Sequence, residues 1–122
     1  MAGRIALDTN VVVPLLGGDG GIVVRAAAAA VFLPLMVVGE LYFGAEKSGR
    51  PVQNVARIDA LIERIVVLPC DVATAREFGR IKGALRAKGR PIPDNDVWIA
   101  AAAVQHGLTL ATRDAHFDAV DG

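Results

Sequence analysis

Cysteine and histidine are scarce in this sequence of 122 residues, which holds one cysteine, Cys70, and two histidines. One cysteine cannot form an internal disulfide, and these three residues provide no zinc-ligand pattern. We expect Cys70 to be a small, buried apolar residue. An excess of either charge is also missing, since 13 acidic residues balance 13 lysines and arginines. This balance argues against a protein that coats nucleic acid by bulk electrostatics, but it allows a basic patch beside an acidic site.

Long apolar runs are absent as well. The longest, over residues 26–38, is interrupted by Pro34 and falls short of the roughly 20 residues that a membrane span needs. The N-terminus has no charged segment followed by a continuous apolar stretch, so no signal peptide is expected. With 53% apolar and 21% charged residues, the composition is that of a folded protein. We therefore expect one cytoplasmic domain over residues 1–122, with no membrane contact.

Short apolar segments alternate with helical patterns along the chain. Strands are predicted over residues 5–7, 31–33, 65–70 and 108–111. Helices are predicted over residues 11–16, 22–30, 36–48, 52–63, 72–89 and 94–106, with Asp71 as the N-cap of the fifth. Apolar strands that alternate with helices form parallel sheets covered on both faces. The pattern predicts an α/β fold with three α/β/α layers and a central parallel sheet of four to five strands.

Four acidic residues need an explanation in such a fold. Asp8 follows the first strand, Asp114 follows the last, and Asp96 lies in the first turn of a helix. Helix capping, a helix N-terminus and a turn would account for these three separately. Glu40 is harder to explain, because its sequence neighbours are apolar and an unpaired buried carboxylate is costly. Since strand ends and helix starts meet at one edge of a parallel sheet, we expect the four carboxylates to gather there.

Gathered carboxylates suggest a metal site. They would repel one another and titrate at high pH unless a cation lay among them. A set of oxygen ligands without cysteine or a histidine cluster selects a hard ion, Mg²⁺ or Mn²⁺. In a small α/β domain such an ion can orient a water for in-line attack on a phosphodiester and stabilise the leaving oxygen. The chemistry indicated is phosphodiester hydrolysis.

Four separated segments carry a resemblance to a known family: "LDTNVVVPLL", "VVGELYFGA", "DNDVWIAAAAVQHGLTLATRD" and Phe117. In this order they resemble the successive motifs of PIN-domain proteins, particularly the VapC-type toxin ribonucleases of bacterial toxin–antitoxin pairs. The resemblance extends from residue 5 to residue 117. It implies a PIN-like fold and a Mg²⁺ pocket in which Asp8 and Asp96 are direct ligands, joined by Glu40 and Asp114.

The resemblance also implies roles for neighbouring residues. Asn10 and Thr112 match polar positions beside the pocket that hold a carboxylate or a water. Asp96 is preferred to Asp94 as the ligand because it directly precedes "VWIAA", which leaves Asp94 as a helix N-cap or supporting acid. Arg113 is the best candidate for contact with RNA or an inhibitor. Asp118 has two alternatives, a place at the pocket or an exposed position near the chain end.

Partners follow from the same resemblance: an RNA substrate, an inhibitory antitoxin protein and a second copy of the chain. The basic residues between 76 and 90 could contact phosphates or form a solvated helix face. The residues Leu41, Tyr42 and Phe43 could receive a partner helix, although core packing explains them more simply.

Two other functions share part of this pattern. A phosphatase of the haloacid-dehalogenase kind also has an aspartate after its first strand, but that family needs a second aspartate where this chain has Asn10. An inactive PIN-like module that binds RNA or an antitoxin without cleavage stays open. Thermal stability with and without Mn²⁺ would distinguish the metal-dependent enzyme from the inactive module, because a ligand that binds the folded state stabilises it.

Overall fold

A computed structural model describes residues 4–16 and 30–112. Its strands are β1 (Arg4–Leu7), β2 (Ala30–Pro34), β3 (Val66–Leu68) and β4 (Thr109–Ala111). Its helices are α1 (Thr9–Leu16), α2 (Leu35–Glu46), α3 (Pro51–Ile62), α4 (Val72–Ala87) and α5 (Asp94–Gln105). The predicted helix over 22–30 lies outside the described residues except for Ala30, which begins β2.

The four strands form one parallel sheet with the order β3-β2-β1-β4. In the register between β1 and β4, Leu7 lies opposite Ala111. The backbone N–H of Asp8 continues this ladder by donating to the Ala111 carbonyl at 3.0 Å. The chain therefore leaves β1 and β4 side by side, with Asp8 and Thr112 as neighbours at the carboxyl edge of the sheet.

Helices cover both faces of the sheet. Because side chains alternate along a strand, Leu7 and Leu33 pack with α1, α2 and α3 on one face. Ala6 and Leu68 point to the other face, where they meet Ala103 of α5. The α4–α5 layer is joined by its own buried cluster: Ile81, Leu85, Val97, Ala100 and Ala101. The predicted three-layer α/β/α fold is confirmed. None of the helices in the described ranges is long and apolar enough to cross a membrane.

The start of α4 follows the sequence closely. The Asp71 carboxylate accepts a hydrogen bond from the Thr74 N–H at 3.1 Å, and the Thr74 hydroxyl accepts one from the Asp71 N–H at 3.0 Å. This reciprocal capping box satisfies backbone donors that a helix N-terminus would otherwise leave unpaired. The predicted N-cap is confirmed.

Cys70 was expected in the core, and that prediction is wrong. The residue is exposed. It follows the end of β3 and directly precedes the N-cap Asp71, so it belongs to the connection between strand and helix. Such connections run over the protein surface, and the short apolar stretch before it ends at Leu68.

Candidate active site

Asp8 is the buried acid of the site. It follows β1 directly and is 5% exposed. One carboxylate oxygen, Oδ1, accepts the Thr9 N–H at 2.7 Å, and Oδ2 accepts the Thr112 hydroxyl at 2.8 Å. A buried carboxylate needs donors of this kind because desolvation of a charge is costly. The bond to Thr112 joins residues 104 positions apart in the sequence and fixes the carboxylate at the sheet edge.

Thr9 connects this acid to a second one. While its backbone N–H donates to Asp8, its hydroxyl donates to Oε1 of Glu40 at 2.7 Å. Glu40 is half-buried on α2, so its charge is partly solvated as well as hydrogen-bonded. The structure thus brings Asp8 and Glu40 to one place through a residue that the sequence analysis did not single out. The available signal was its position, directly after the aspartate that ends β1.

Asn10 and Thr112 lie beside the two acids. The Asn10 amide nitrogen is 3.4 Å from the Thr112 hydroxyl oxygen, a long hydrogen bond. Thr112 in turn donates to Asp8. These contacts link both residues to the Asp8 carboxylate, Thr112 directly and Asn10 through Thr112.

The first turn of α5 borders the same groove as Glu40, through Asn95. Asp96 is half-buried there, and its neighbour Asn95 lines a groove of about 1000 Å³ together with Thr9 and Glu40. Asp94, in contrast, is exposed and lies 3.0 Å from the Lys82 ammonium of α4. Of the two roles expected for Asp94, helix N-cap or supporting acid, the first is wrong. Pro93 occupies that position with an extended backbone, and Asp94 is the first helical residue.

The donor set fits a magnesium ion. Asp8 and Glu40 present carboxylate oxygens on either side of Thr9. Within residues 4–16 and 30–112, no three acidic, histidine or cysteine side chains form a metal-binding group. Mg²⁺ commonly takes only one or two carboxylates and completes its shell with waters and substrate phosphates. The candidates Asp114, Arg113 and Asp118, like Phe117, lie outside the described residues.

Two hollows meet at the acids. The first, about 440 Å³, lies between α1, α2 and α3, and its lining includes Thr9, Glu40 and Arg57. The second is the groove bordered by Asn95, and its wall includes Leu35 and Phe43, which are 46% and 66% exposed. Thr9 and Glu40 line both hollows. Any molecule seated in either hollow therefore lies against the acidic site.

Residues 5–122 match the model of the PIN domain. The chain belongs to the PIN-domain family, and the resemblance inferred from its motifs is confirmed. Among its relatives are VapC proteins. Ribonuclease VapC2 of Haemophilus influenzae is 34% identical over 114 residues, which cover 91% of this chain and 86% of the relative. The tRNA(fMet)-specific endonuclease VapC of Shigella flexneri is 40% identical over 84 residues, 68% of this chain and 64% of the relative.

Solved structures agree with the sequence relatives. The crystal structure of DNA-bound VapBC from Salmonella typhimurium superimposes with a TM-score of 0.86 at 28% identity. The match covers 100% of this chain and 95% of that chain. The parallel sheet and its covering helices are therefore those of a VapC fold.

Proposed function

We propose that this protein is a Mg²⁺-dependent endoribonuclease that acts as the toxin of a toxin–antitoxin pair. The observation that carries the proposal is the linkage of Asp8 to both Thr112 and, through Thr9, Glu40 at the carboxyl edge of the sheet. Family membership supports it, because similar relatives are named as ribonucleases and a similar solved structure is a VapBC complex. We propose a cytoplasmic homodimer as its working form.

The residues of the chain would act mainly by orientation. Thr112 and the Thr9 N–H hold the Asp8 carboxylate in one direction, while the Thr9 hydroxyl holds Glu40. Asp8 and Asp96 would bind the magnesium ion, with Glu40 and Asp114 completing the acidic pocket. When bound, the ion would orient a water toward an RNA phosphodiester and stabilise the oxygen that leaves. Positions held before the substrate arrives cost no reorganisation during the reaction.

Substitution of the acids tests the proposal. We expect Asp8→Asn and Asp96→Asn each to lower the rate of RNA cleavage by about 100-fold or more, because each removes a charge that positions the metal. Total RNA and an initiator tRNA serve as substrates, the latter because of the specificity named for the Shigella relative. Cleavage products are mapped by sequencing, with Mg²⁺ present or chelated.

The matched control is Asp59→Asn. Asp59 is an exposed aspartate of α3 that accepts a hydrogen bond from the Tyr42 hydroxyl, and it lines neither hollow at the acids. This variant should cleave like the wild type. Full cleavage by a rigorously purified Asp8→Asn/Asp96→Asn double variant would refute the proposal. RNA binding by the wild type without any cleavage would favour the inactive binding module instead.

A further inference from the structure

A third, smaller hollow lies between α4 and the turn that leads into α5. Its volume is about 220 Å³, and it is lined by Lys82, Leu85, Arg86, Pro91, Ile92 and Val97. Pockets that enclose a whole small-molecule ligand measure roughly 300–1000 Å³. This cavity therefore suits a fragment of a larger molecule, such as one unit of a polymer. We call it the α4–α5 pocket.

The α4–α5 pocket has an apolar floor and a cationic rim. Leu85 and Val97 are buried, and Ile92 packs against them. Lys82 and Arg86 are exposed and four residues apart, so they lie on the same side of α4. A base or another flat apolar group can rest on such a floor while an attached anion meets the two cations.

The Lys82 ammonium is already held over this surface. Its nitrogen lies 3.0 Å from Asp94 and 5.6 Å from the ring centre of Phe78, which stacks on Trp98 at 4.1 Å. The Lys82 and Asp94 side chains are 55% and 61% exposed, and exposed ion pairs contribute little to stability. The ammonium can therefore exchange Asp94 for a phosphate at small cost.

The α4–α5 pocket and the groove at Glu40 both border the start of α5. Val97, in the wall of the α4–α5 pocket, directly follows Asp96, and Pro91 and Ile92 lead into the same first turn of α5. On the other side of this turn, Asn95 lines the groove that contains Thr9 and Glu40. A polyanion crossing the start of α5 would reach both places.

The charge of the α4–α5 pocket indicates which kind of molecule it binds. Although the chain is neutral overall, the charged residues that line the α4–α5 pocket are two cations, Lys82 and Arg86. The acidic site itself repels phosphates, so a substrate with many phosphates needs nearby cations to be retained. We infer that the α4–α5 pocket binds one nucleotide of single-stranded RNA, with its phosphate on Lys82 and Arg86 and its base against Ile92. The inference rests on the proposed function, because it places the RNA relative to the acids.

Binding can be measured apart from cleavage. A short fluorescein-labelled single-stranded RNA is titrated with full-length protein carrying Asp8→Asn, and anisotropy is followed from about 50 to 200 mM salt. We expect Lys82→Ala/Arg86→Ala to weaken binding about tenfold or more, and to reduce the slope of log K against log salt by about 0.7, because one neutralised phosphate is lost. Ile92→Ala should weaken binding without changing that slope.

The matched control is Arg76→Ala/Arg80→Ala. It removes the same charge from exposed positions of the same helix that do not line the α4–α5 pocket. It should change affinity by less than about threefold. Equal losses in the two double variants would mean that only the overall charge matters, and would overturn the inference. Thermal unfolding of each variant verifies that it is folded.

The outcomes separate the inference from the proposed function. If the wild type cleaves RNA and Lys82→Ala/Arg86→Ala binds and cleaves like it, the inference fails and the function stands. If no cleavage is found but RNA binding still depends on Lys82, Arg86 and Ile92, the function fails and the nucleotide pocket stands. Loss of antitoxin affinity with RNA binding unchanged would assign the pocket to the protein partner and overturn the inference.

Discussion

Thr9 is the residue that couples the two acids of the site. Its backbone fixes Asp8 and its hydroxyl fixes Glu40. Replacing the hydroxyl with a methyl group keeps the shape of the side chain but leaves a half-buried carboxylate without this donor.

We therefore expect Thr9→Val to destabilise the fold by about 1 kcal/mol and to lower RNA cleavage by about tenfold. Thr9→Ser, which restores the hydroxyl, should recover most of both quantities. Denaturant unfolding measures the first quantity, and single-turnover cleavage measures the second. Equal cleavage by Thr9→Val and the wild type would show that the orientation of Glu40 does not limit the reaction.

Single residues also mark where the sequence was insufficient. Thr9 lies in a run of three polar residues, and nothing local says that its hydroxyl reaches across to α2, 31 positions away. For Asp94, an acidic residue before an apolar helix is typical of an N-cap, but Pro93 already has the extended backbone that the cap position requires. Which of two neighbouring residues becomes the N-cap depends on backbone dihedral angles, and the residue types alone do not determine these angles.

At the scale of elements, α2 has two different sides. Leu41 is buried, but Phe43, two residues later, is 66% exposed and lines the groove that holds Glu40. Packing in the core explains why Leu41 is apolar, but it does not explain the exposed aromatic side chain of Phe43. Because α2 is apolar around most of its circumference, the sequence could not tell which side meets the sheet.

The exposed side of α2 offers a surface for the proposed antitoxin. We expect Phe43→Ser to weaken the complex with the cognate antitoxin by about tenfold or more, since exposed aromatic side chains in pockets are common binding hot spots. Its RNA cleavage without antitoxin should stay close to that of the wild type. Isothermal titration calorimetry measures the affinity.

The control for this surface is Val52→Ser, at a residue of α3 that is 81% exposed and does not line the groove. It should bind the antitoxin like the wild type. An unchanged affinity of Phe43→Ser would remove this groove from the antitoxin interface.

The capping box of α4 should make the stability of the protein depend on pH. The hydrogen bond from the Thr74 backbone, followed by that from its hydroxyl, lowers the pKa of Asp71 below its ordinary value. A lowered pKa contributes stability that is present above the unfolded-state pKa and is lost as pH falls through the folded-state pKa. Asp71→Ala should therefore lower Tm at pH 7, and the difference from the wild type should shrink below about pH 4.

Asp71→Asn provides the comparison for this prediction. Its side-chain oxygen can still cap the helix, but it does not titrate, so its Tm should stay closer to that of the wild type at neutral pH. Thermal unfolding by circular dichroism at several pH values measures all three proteins. A Tm difference for Asp71→Ala that is constant down to pH 2 would contradict the lowered pKa of Asp71.

For the molecule as a whole, the class and layering of the fold were predictable from the alternation of apolar strands with helices. The order β3-β2-β1-β4 was not predicted, because alternation gives the direction of the strands but not their neighbours. A position at the carboxyl edge of the sheet follows from parallel topology, which is why Asp8 could be singled out. Its partner Thr112 came from the family resemblance and lies beside it only because β4 pairs with β1.

Metal binding should be visible in the stability of the whole molecule. A ligand that binds only the folded state stabilises it by RT ln(1 + [L]/Kd), about 2.7 kcal/mol when its concentration is 100 times Kd. We expect millimolar Mn²⁺ to raise the Tm of the wild type and of Asp59→Asn, and to leave that of Asp8→Asn nearly unchanged. An equal rise in all three would mean that the ion binds elsewhere.

The pairing of β1 with β4 also bears on when the protein becomes active during its synthesis. Asp8 and the Thr112 hydroxyl that orients it are 104 positions apart, so the ribosome adds Asp8 well before Thr112. A nascent chain in which residues 109–112 have not yet emerged lacks both β4 and this threonine. Its aspartate is therefore not yet held in place. On the proposed function, a nascent chain therefore should not cleave RNA at its full rate before residues 109–112 have left the ribosome.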